Sequence, residues 1–550
     1  MKHYEVENDY DELIVDYEAD WEQDRRDFGL TSDDLQNVGT WIEEKKKENI
    51  LIESSQDMEP PTNLNKEQMD AFAIIKDFIN CNADPNKLKP PQLLLQINGP
   101  AGSGKTYLIQ KVKAYAKSIF NHNKFVHTAA PSGTAAFLIK GETLHSLLML
   151  PINYHKYESL PSDRLLQLQQ KFNDIGILVI DEKSMIGQKL FHMVHMRLTE
   201  IYPERREEVF GGLSIVLIGD WKQLPPVADS SLFNKNGNFT LGNILYSKFI
   251  DVISLSEIKR QTGESQKQFR EELGRLSEGK FSVNDWKKWK LRQLDLLPIN
   301  EQEEFNQHAI LACSEKKNMI KHNLYKVRCN NQPIAMIRAV SGCSAAKKAS
   351  SDKACGLLSE LVVNKGSIVR LTANRWYKAG LTNGAKGIVK GIIYAPNEKP
   401  PALPACIIVA FDKYYGPSYI EAIPNSVPIS PITREWCCEG KILRRKMLPL
   451  ILGYALSIHR LQGYTVDKVI LNIGKTEFQT GLSLVGASKV RSFEGLSFSP
   501  YPNYDRFQSI GNSKALTRRI DEEKRLDKLH QETLIKYNET IKKCSNFYTL

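Results

Sequence analysis

The chain has 550 residues, of which 41% are apolar, and a formal net charge of +10. This length exceeds what one hydrophobic core supports, so three or four domains are expected. No run approaches about 18 consecutive apolar residues, and the first residues lack the basic and apolar regions of a secretion signal, which predicts an intracellular protein without a membrane span. The nine cysteines include no Cys-x-x-Cys pair, so neither zinc nor a disulfide framework is indicated.

Charge is distributed unevenly along the chain. Residues 1–60 contain 19 acidic and 6 basic side chains, a net charge of −13, so the remainder carries +23. A basic body suits a polyanionic partner, although a merely soluble surface fits the same charge equally well. We expect residues 1–60 to be a disordered acidic extension that shields the basic body, contacts a protein partner or is a solvated tail.

The clearest chemical motif is a glycine-rich loop between an apolar run and a helix-like stretch. The sequence GPAGSGKT follows the strand-like LLLQI and precedes YLIQKVKAYAKSIF. In such a loop the backbone N–H groups face phosphates, and the helix N-terminus adds its positive dipole end. Lys105 is expected to reach the β- and γ-phosphates, and Thr106 to ligate Mg²⁺. The predicted ATP-binding loop consists of Gly99, Pro100, Ala101, Gly102, Ser103, Gly104, Lys105 and Thr106.

Two further strand ends carry polar residues that complement a phosphate loop. GILVIDEKSM predicts a strand that ends at Asp181 and Glu182. The first carboxylate can hold Mg²⁺ through water, and the second can polarise the attacking water. SIVLIGD leads into WKQLPPV, which places Gln223 where it can touch both the γ-phosphate and a DNA-facing loop.

The order of apolar runs predicts the domain organisation. Residues 61–245 alternate short strands with helices, the pattern of a parallel sheet covered on both faces. Residues 246–329 and 447–500 repeat this pattern and predict a second α/β core. Residues 330–446 contain short β-like runs and turn signals, which favour a small inserted β-domain. Residues 501–550 are expected to form a polar helical tail.

Taken in chain order, the sequence motifs resemble those of the petite-integration-frequency (Pif-type) family of superfamily 1 DNA helicases, which are relatives of the RecD-like motors. LNKEQMDAF is similar to the adenine-recognition motif and implies that Gln68 binds ATP, and LSEIKRQ places Arg260 near the γ-phosphate. AAPSGTAAFLIKGETLHSLL and GYALSIHRLQGYTVDKVILNIG resemble motifs that face DNA or nucleotide. The residues implied for DNA contact are Thr134, Thr143, His145, Gln462 and Thr465.

The resemblance implies two RecA-like cores with ATP in the cleft between them, a wedge near residues 146–170 and a small β-barrel within the second core. It further implies an ATP- and Mg²⁺-dependent helicase that moves 5′ to 3′ on single-stranded DNA and acts on forks. We expect a monomer, in the nucleus rather than the mitochondrion, that serves DNA repair, recombination or telomere maintenance, or drives a mobile element. Candidate aromatic or ring platforms for stacked bases are His145, Trp376, Tyr377 and Tyr464.

The chain departs from the family pattern at two positions that bear on catalysis. SKVRSFEGL has Lys489 where the family has its arginine finger, and lysine lacks the planar fork of donors. Arg491, two residues further on, would face the other side of a strand. Lys183 replaces an apolar residue after the acidic pair. One alternative is therefore a degenerate relative that binds ATP and DNA but unwinds poorly, and another is a phosphate-loop ATPase that acts on proteins.

Overall fold

The computed structural model describes residues 15–48, 63–151, 157–235, 240–351, 353–438 and 441–546. The α-helices within these ranges are α1 (Gln23–Asp27), α2 (Ser32–Asn37), α3 (Trp41–Lys47), α4 (Lys66–Ala83), α5 (Lys105–Phe120), α6 (Gly133–Leu138), α7 (Leu144–Leu147), α8 (Ser162–Phe172), α9 (Gln188–Ile201), α10 (Leu241–Ser247), α11 (Lys267–Ser277), α12 (Val283–Lys290), α13 (Ile299–His308), α14 (Lys316–Arg328), α15 (Ser344–Lys348), α16 (Leu482–Ala487), α17 (Tyr504–Gly511), α18 (Lys514–Lys536) and α19 (Asn538–Asn546).

The β-strands of the same ranges are short, with two to eight residues each. They are β1 (Leu94–Asn98), β2 (Val126–Ala130), β3 (Glu142–Thr143), β4 (Ile177–Ile180), β5 (Ser214–Gly219), β6 (Asp251–Ser254), β7 (Ile310–Cys313), β8 (Ala335–Arg338), β9 (Val340–Ser341), β10 (Glu360–Val363), β11 (Ile368–Leu371), β12 (Lys386–Ile393), β13 (Cys406–Phe411), β14 (Ser426–Ile429), β15 (Ile432–Cys438), β16 (Lys441–Met447), β17 (Leu450–Leu452), β18 (Ala455–Ser457), β19 (Val469–Asn472) and β20 (Leu496–Phe498).

The chain forms two compact units. The larger unit comprises residues 58–314 and 461–550, and the smaller unit comprises residues 1–57 and 315–460.

A parallel sheet in the order β3-β2-β4-β5-β1-β6 is the centre of the larger unit. Successive side chains of a strand point to opposite faces. Accordingly, Ile177 and Val179 of β4 enter the core beneath α4 and α5, whereas Leu178 and Ile180 enter the core beneath α9 and α10. Both faces of the sheet are therefore covered, and the polar residues that follow its strands collect at the carboxyl edge.

The last strand of this sheet was expected in the second core. The sequence analysis placed residues 246–329 there, but β6 pairs in parallel with β1 and completes the first sheet. The apolar run of β6 predicts a strand but does not specify its neighbour, which is why the boundary at residue 245 is wrong for this strand. The helix α18 then packs against β6, so the predicted helical tail covers the first sheet.

A second parallel sheet in the larger unit contains β7, β19 and β20. β19 lies between the other two strands, although about 150 residues separate it from β7 in sequence. The prediction of an α/β protein with two parallel-sheet cores is confirmed.

The smaller unit is built on an antiparallel sheet in the order β14-β13-β12-β11-β17. A bulge between Val389 and Gly391 interrupts the pairing of β12 with β13. A further antiparallel sheet, β15-β16-β9, carries α15 against its inner face. Its buried Arg445 donates to the carbonyls of Ala346 and Ala349 at the end of that helix. The barrel form expected for residues 330–446 remains a prediction.

Part of the expected disordered extension is folded. Residues 15–48 contain α1, α2 and α3, and the side chains of Trp21 and Ile42 lie in the core of the antiparallel sheet. Asp24 accepts a hydrogen bond from the N–H of Ile392 at 2.9 Å, next to the bulge, and pairs with Lys365 at 2.8 Å. The prediction is therefore wrong for residues 15–48, because a few buried apolar side chains outweigh the unfavourable net charge. The rest of the extension, residues 1–14 and 49–60, lies outside the described residues.

The wedge expected near residues 146–170 falls on the connection between α7 and α8. Residues 152–156 of this connection lie outside the described residues, so the wedge stays a prediction. Across the ranges that the structure describes, none of the helices combines the length and the apolar character that crossing a membrane requires.

Candidate nucleotide site

The phosphate loop connects β1 to α5 at the carboxyl edge of the first sheet. Gly102 and Gly104 adopt left-handed backbone conformations, with φ of 86° and 80°. A Cβ on Gly102 would lie 2.5 Å from Cβ of Arg260, and one on Gly104 would lie 2.3 Å from Nε2 of Gln68. Glycine is therefore required at both positions for conformation and for space. The helix α5 begins directly after the loop and directs its N-terminus at the site.

Lys105 lies over the loop, as the sequence predicts. Its Nζ donates to the carbonyls of Gly99 and Pro100, both at 2.8 Å. Lys105 and Thr106 line a cavity of about 310 Å³. The ammonium is thus held among the loop's own acceptors, at the position from which it can reach phosphate oxygens.

The acidic pair lies at the end of β4 and faces the same cavity. Asp181 and Glu182 are both buried, and Asp181 accepts a hydrogen bond from the backbone N–H of Glu182 at 2.8 Å. Glu182 has a φ of 53°, a left-handed conformation that is uncommon for a residue with a side chain. Burial, together with the neighbouring Glu182 carboxylate, raises the pKa of Asp181 to about 7.

These groups could hold a magnesium ion. The hydroxyl of Thr106 and the carboxylate of Asp181 line the cavity, and Mg²⁺ prefers oxygen ligands. Two buried carboxylates repel each other, and a divalent cation would relieve that repulsion. The residues present therefore fit the ion that the sequence analysis assigned to Thr106 and Asp181.

Three further predicted residues surround the cavity. Gln223 donates from Nε2 to Asp220 at 3.2 Å, and its Oε1 accepts from Nζ of Lys489 at 3.4 Å. Arg260 donates to the carbonyl of Ser488 at 2.9 Å. The side chains of Gln223, Arg260 and Lys489 all line the cavity with Lys105 and Glu182.

Lys489 is enclosed, with only 2% of its surface exposed. Burial lowers the pKa of Lys489 to about 7, and the like charge of Arg260 contributes to this shift. Arg260 also experiences burial, which lowers its pKa. The positive charge at Lys489 is therefore weaker than that of a solvated lysine.

Gln68 occupies a structural position beside the loop. Its Nε2 donates to the carbonyl of Ser103 at 3.1 Å, and its Oε1 accepts from the N–H of Asn65 at 3.0 Å. Asn65 in turn accepts from the N–H of Gln68, which completes a capping box at the start of α4. The side chain of Gln68 therefore holds the phosphate loop by a hydrogen bond. Its role in recognising adenine stays a prediction.

The predicted DNA-contact residues do not form one group. Gln462 is buried and donates to Glu182 at 3.1 Å, and Thr465 lines the nucleotide cavity. Thr143 caps α7 by accepting from the N–H of Ser146. Thr134 lies on α6, next to the lining residue Ala135, and His145 lies on α7; neither of the two itself lines the cavity.

One of the candidate stacking platforms is wrong. Trp376 is 5% exposed and packs edge-on against Tyr414, so its ring belongs to the core of the smaller unit. Tyr377 and Tyr464 are half-buried and remain candidates.

A buried polar network that the sequence motifs did not predict lies behind the phosphate loop. Lys183 is fully buried and donates from Nζ to Oε1 of Gln96 on β1 at 3.3 Å. On α18, Glu522 accepts from the hydroxyl of Tyr246 at 2.5 Å, and Glu523 accepts from Asn98 at 3.3 Å. Burial lowers the pKa of Lys183 to about 7, and the negative charge of Glu523 opposes that shift.

No local pattern could have revealed this network. Lys183 departs visibly from an apolar position, but its acidic neighbours lie more than 330 residues further along the chain. They belong to a helix whose sequence has the composition of a solvated surface.

The fold and the site together define a phosphate-loop nucleotide-binding protein built on parallel sheets. Residues 63–286 match the family model described as PIF1-like helicase. The resemblance inferred from the motifs is therefore confirmed over this part of the chain.

Relatives are similar to this chain in sequence, and solved structures are similar to it in fold. ATP-dependent DNA helicase PIF1 of Danio rerio is 27% identical over 414 residues, which cover 72% of this chain and 57% of that protein. The match therefore spans little more than half of that relative's length. A crystal structure of Pif1 helicase from Candida albicans superposes with a TM-score of 0.64 at 22% identity, over 84% of this chain and 98% of that one. The crystal structure of Bacteroides Pif1 bound to ssDNA superposes with a TM-score of 0.60 at 23% identity, over 84% of this chain and 97% of that one.

Proposed function

We propose that the chain is an ATP-dependent DNA helicase that moves 5′ to 3′ along single-stranded DNA and unwinds duplexes by hydrolysing ATP. The observation that carries the proposal is the convergence, in one cavity, of the phosphate-loop residues, the acidic pair and the cations of later motifs. A nucleotide-binding module alone requires only the first of these three sets. The third set is needed when the state of the γ-phosphate must be sensed and transmitted.

The residues suggest how hydrolysis proceeds. The loop amides and Lys105 hold the phosphates, while Thr106 and Asp181 would hold Mg²⁺, which supplies positive charge to the phosphate oxygens. Glu182 accepts the proton of the attacking water. Arg260 stabilises the charge that develops on the γ-phosphate, at a position fixed by its hydrogen bond to Ser488.

Movement along DNA follows from the sources of these groups. The phosphate loop and the acidic pair follow strands of the first sheet, whereas Ser488 and Lys489 belong to the segment between α16 and β20, beside the second sheet. Bound ATP contacts both sets of residues and holds them together. Release of phosphate removes the group that both sets contact. Each cycle then advances the strand.

The substrate is proposed from charge and from relatives. Residues 61–550 carry a net charge of +23, which favours a polyanion. A relative from Bacteroides is bound to single-stranded DNA, and the relative from Danio rerio is named a DNA helicase. We therefore propose single-stranded and forked DNA as partners, with Thr134, Thr143 and His145 among the contacting residues.

ATP turnover with and without single-stranded DNA tests the proposal. We expect stimulation by DNA, dependence on Mg²⁺, and loss of turnover in Lys105→Ala. A fork with a 5′ single-stranded tail should be unwound, and one with only a 3′ tail should not. Absence of turnover under both conditions would contradict the proposal, and binding that does not weaken with salt would favour an ATPase that acts on proteins.

A degenerate relative that binds ATP and DNA but unwinds poorly is the second candidate. It is favoured by the buried Lys489, whose pKa is lowered to about 7. If this candidate is correct, Lys489→Arg raises ATP turnover. No gain in that variant would count against it.

The biological setting is proposed from the resemblance. DNA repair, recombination, telomere maintenance or the movement of a mobile element would each require such a motor, working as a monomer in the nucleus. A partner protein for the acidic residues 1–60 is also proposed. Co-purification and fractionation of the native protein test these points.

A further inference from the structure

An arginine finger requires a guanidinium that reaches the γ-phosphate, and Lys489 is poorly suited to replace it. Lysine provides one compact charge without the planar fork that binds phosphate in two places. Here the ammonium is also enclosed, lies 3.4 Å from Oε1 of Gln223, and has Arg260 and Lys105 as cationic neighbours. Burial and the neighbouring cations weaken the charge that this position offers.

Arg491 does not face away from the site. The expectation that it would do so assumed a strand through residues 489–491, where side chains alternate between faces. The structure has no strand there: Val490 makes one isolated bridge to Val466, and residues on both sides of it form turns and bends. The backbone bends around Val490, and Lys489 and Arg491 both line the same cavity.

The guanidinium of Arg491 is held loosely. Its Nε donates to Asp467 at 3.2 Å, and 67% of the Arg491 side chain and 90% of that of Asp467 are exposed. An ion pair this exposed contributes little and breaks readily. Arg260 lines the same cavity, and its pKa is lowered mainly by burial and to a smaller extent by the charge of Arg491.

We propose that Arg491 supplies the arginine finger of this chain. The inference rests on the proposed ATP hydrolysis. In that reaction the water oxygen bonds to the γ-phosphorus, and the bond to the β–γ bridging oxygen breaks with its electron pair going to ADP. The water proton passes to Glu182. Arg491 exchanges its contact with Asp467 for the γ-phosphate oxygens and donates N–H groups to them, without transferring a proton.

Binding of ADP with and without aluminium fluoride tests the inference independently of turnover. This mimic of the transferred phosphoryl group should tighten the binding of fluorescent ADP to the unsubstituted protein in the presence of Mg²⁺. In Arg491→Lys, which keeps the charge but loses the fork, we expect at least a tenfold loss of that tightening. ADP affinity itself should stay within about twofold, and turnover should fall by about 10³ or more.

Three controls separate the alternatives. Arg206→Lys changes another exposed arginine in an exposed ion pair, remote from the cavity, and should leave both measurements unchanged. Thermal unfolding of Arg491→Lys shows whether the fold is intact. In the double variant Lys489→Arg/Arg491→Lys, recovery of the aluminium fluoride effect would support the inference, because the loss in Arg491→Lys would then come from the missing guanidinium. Persistent loss together with a lowered unfolding temperature of Arg491→Lys would overturn it, because the substitution would then act through the fold.

The outcomes also separate this inference from the proposed function. Loss of tightening in Arg491→Lys, combined with DNA-independent turnover in the unsubstituted protein, supports the finger and contradicts the helicase. Unchanged tightening in Arg491→Lys overturns the finger, whether or not DNA stimulates turnover.

Discussion

Lys183 directly follows the acidic pair in the chain, and its Nζ lies 3.3 Å from Oε1 of Gln96, on the strand that leads into the phosphate loop. The same Gln96 oxygen accepts from the hydroxyl of Tyr246, which also donates to Glu522 of α18. A polar residue at an otherwise apolar position is thus accommodated by acidic groups that the C-terminal helix supplies. The helix α18 therefore contributes side chains to the buried layer behind the nucleotide site.

The first prediction concerns the coupling between Lys183 and Glu523. Glu523→Gln removes a negative charge that favours the buried ammonium, so it should destabilise the protein that has Lys183. In the Lys183→Met background, Glu523→Gln should lower the free energy of unfolding by less than it does in the protein that has Lys183. A double-mutant cycle by chemical denaturation should give a coupling of about 0.5–3 kcal/mol. Additive effects would show that the two charges do not interact.

The second prediction concerns Glu182. Glu182→Gln keeps the size of the side chain but removes the proton acceptor, so ATP turnover should fall by about 10²–10⁴ while nucleotide affinity is retained. Stopped-flow binding of fluorescent ATP and steady-state turnover separate the two effects. Glu208→Gln, on an exposed side chain outside the cavity, is the matched control. Comparable turnover in both variants would exclude Glu182 as the base.

The third prediction concerns the anchored N-terminal segment. Asp24→Ala leaves the N–H of Ile392 without its acceptor and removes the pair with Lys365, so the free energy of unfolding should fall by about 1–3 kcal/mol. Asp33→Ala, on an exposed side chain of α2, should change it by less than about 0.5 kcal/mol. Limited proteolysis within residues 15–48 should accelerate only in the first variant. Equal cleavage in both would indicate that the segment is not anchored through Asp24.

The fourth prediction concerns acid stability. Glu142 on β3 is hydrogen-bonded by His127 and paired with Lys171, and these contacts lower its pKa from 4.5 to about 2. The stabilisation is present above pH 4.5, where the carboxylate is ionised in both the folded and unfolded states. It is lost as the pH falls from 4.5 to 2, because protons then bind the unfolded state preferentially. Urea midpoints of the unsubstituted protein and Glu142→Gln should differ at pH 6 and converge near pH 2. A constant difference would assign the effect to packing.

The sequence predicts the local parts of the site well. GPAGSGKT, the acidic pair after β4 and Gln223 after β5 are contiguous motifs next to strands, and parallel strands bring their carboxyl ends to one edge. Arg260 and Lys489 were placed at the nucleotide by resemblance, and both line the cavity. What each residue does there stays a prediction.

Errors arose wherever a contact joins distant segments or a regular backbone was assumed. The pattern of β6 specifies a strand but not that it pairs with β1. The net charge of residues 1–60 obscured the few apolar side chains, such as Trp21, that fix this segment to a sheet. Side-chain alternation along an assumed strand predicted that Arg491 faces away from the cavity. This prediction is wrong because the backbone turns at that position.

The hydrogen bond between Asn98 and Glu523 spans 425 residues. During synthesis, β1 and the phosphate loop leave the ribosome long before α18, whose Thr533 accepts from the N–H of Val252 on β6 at 2.8 Å. At 5–20 residues per second, the 281 residues from Val252 to Thr533 take roughly 14–56 s to be synthesised. Throughout that time the β6 flank of the nascent sheet lacks the helix that covers it in the finished fold.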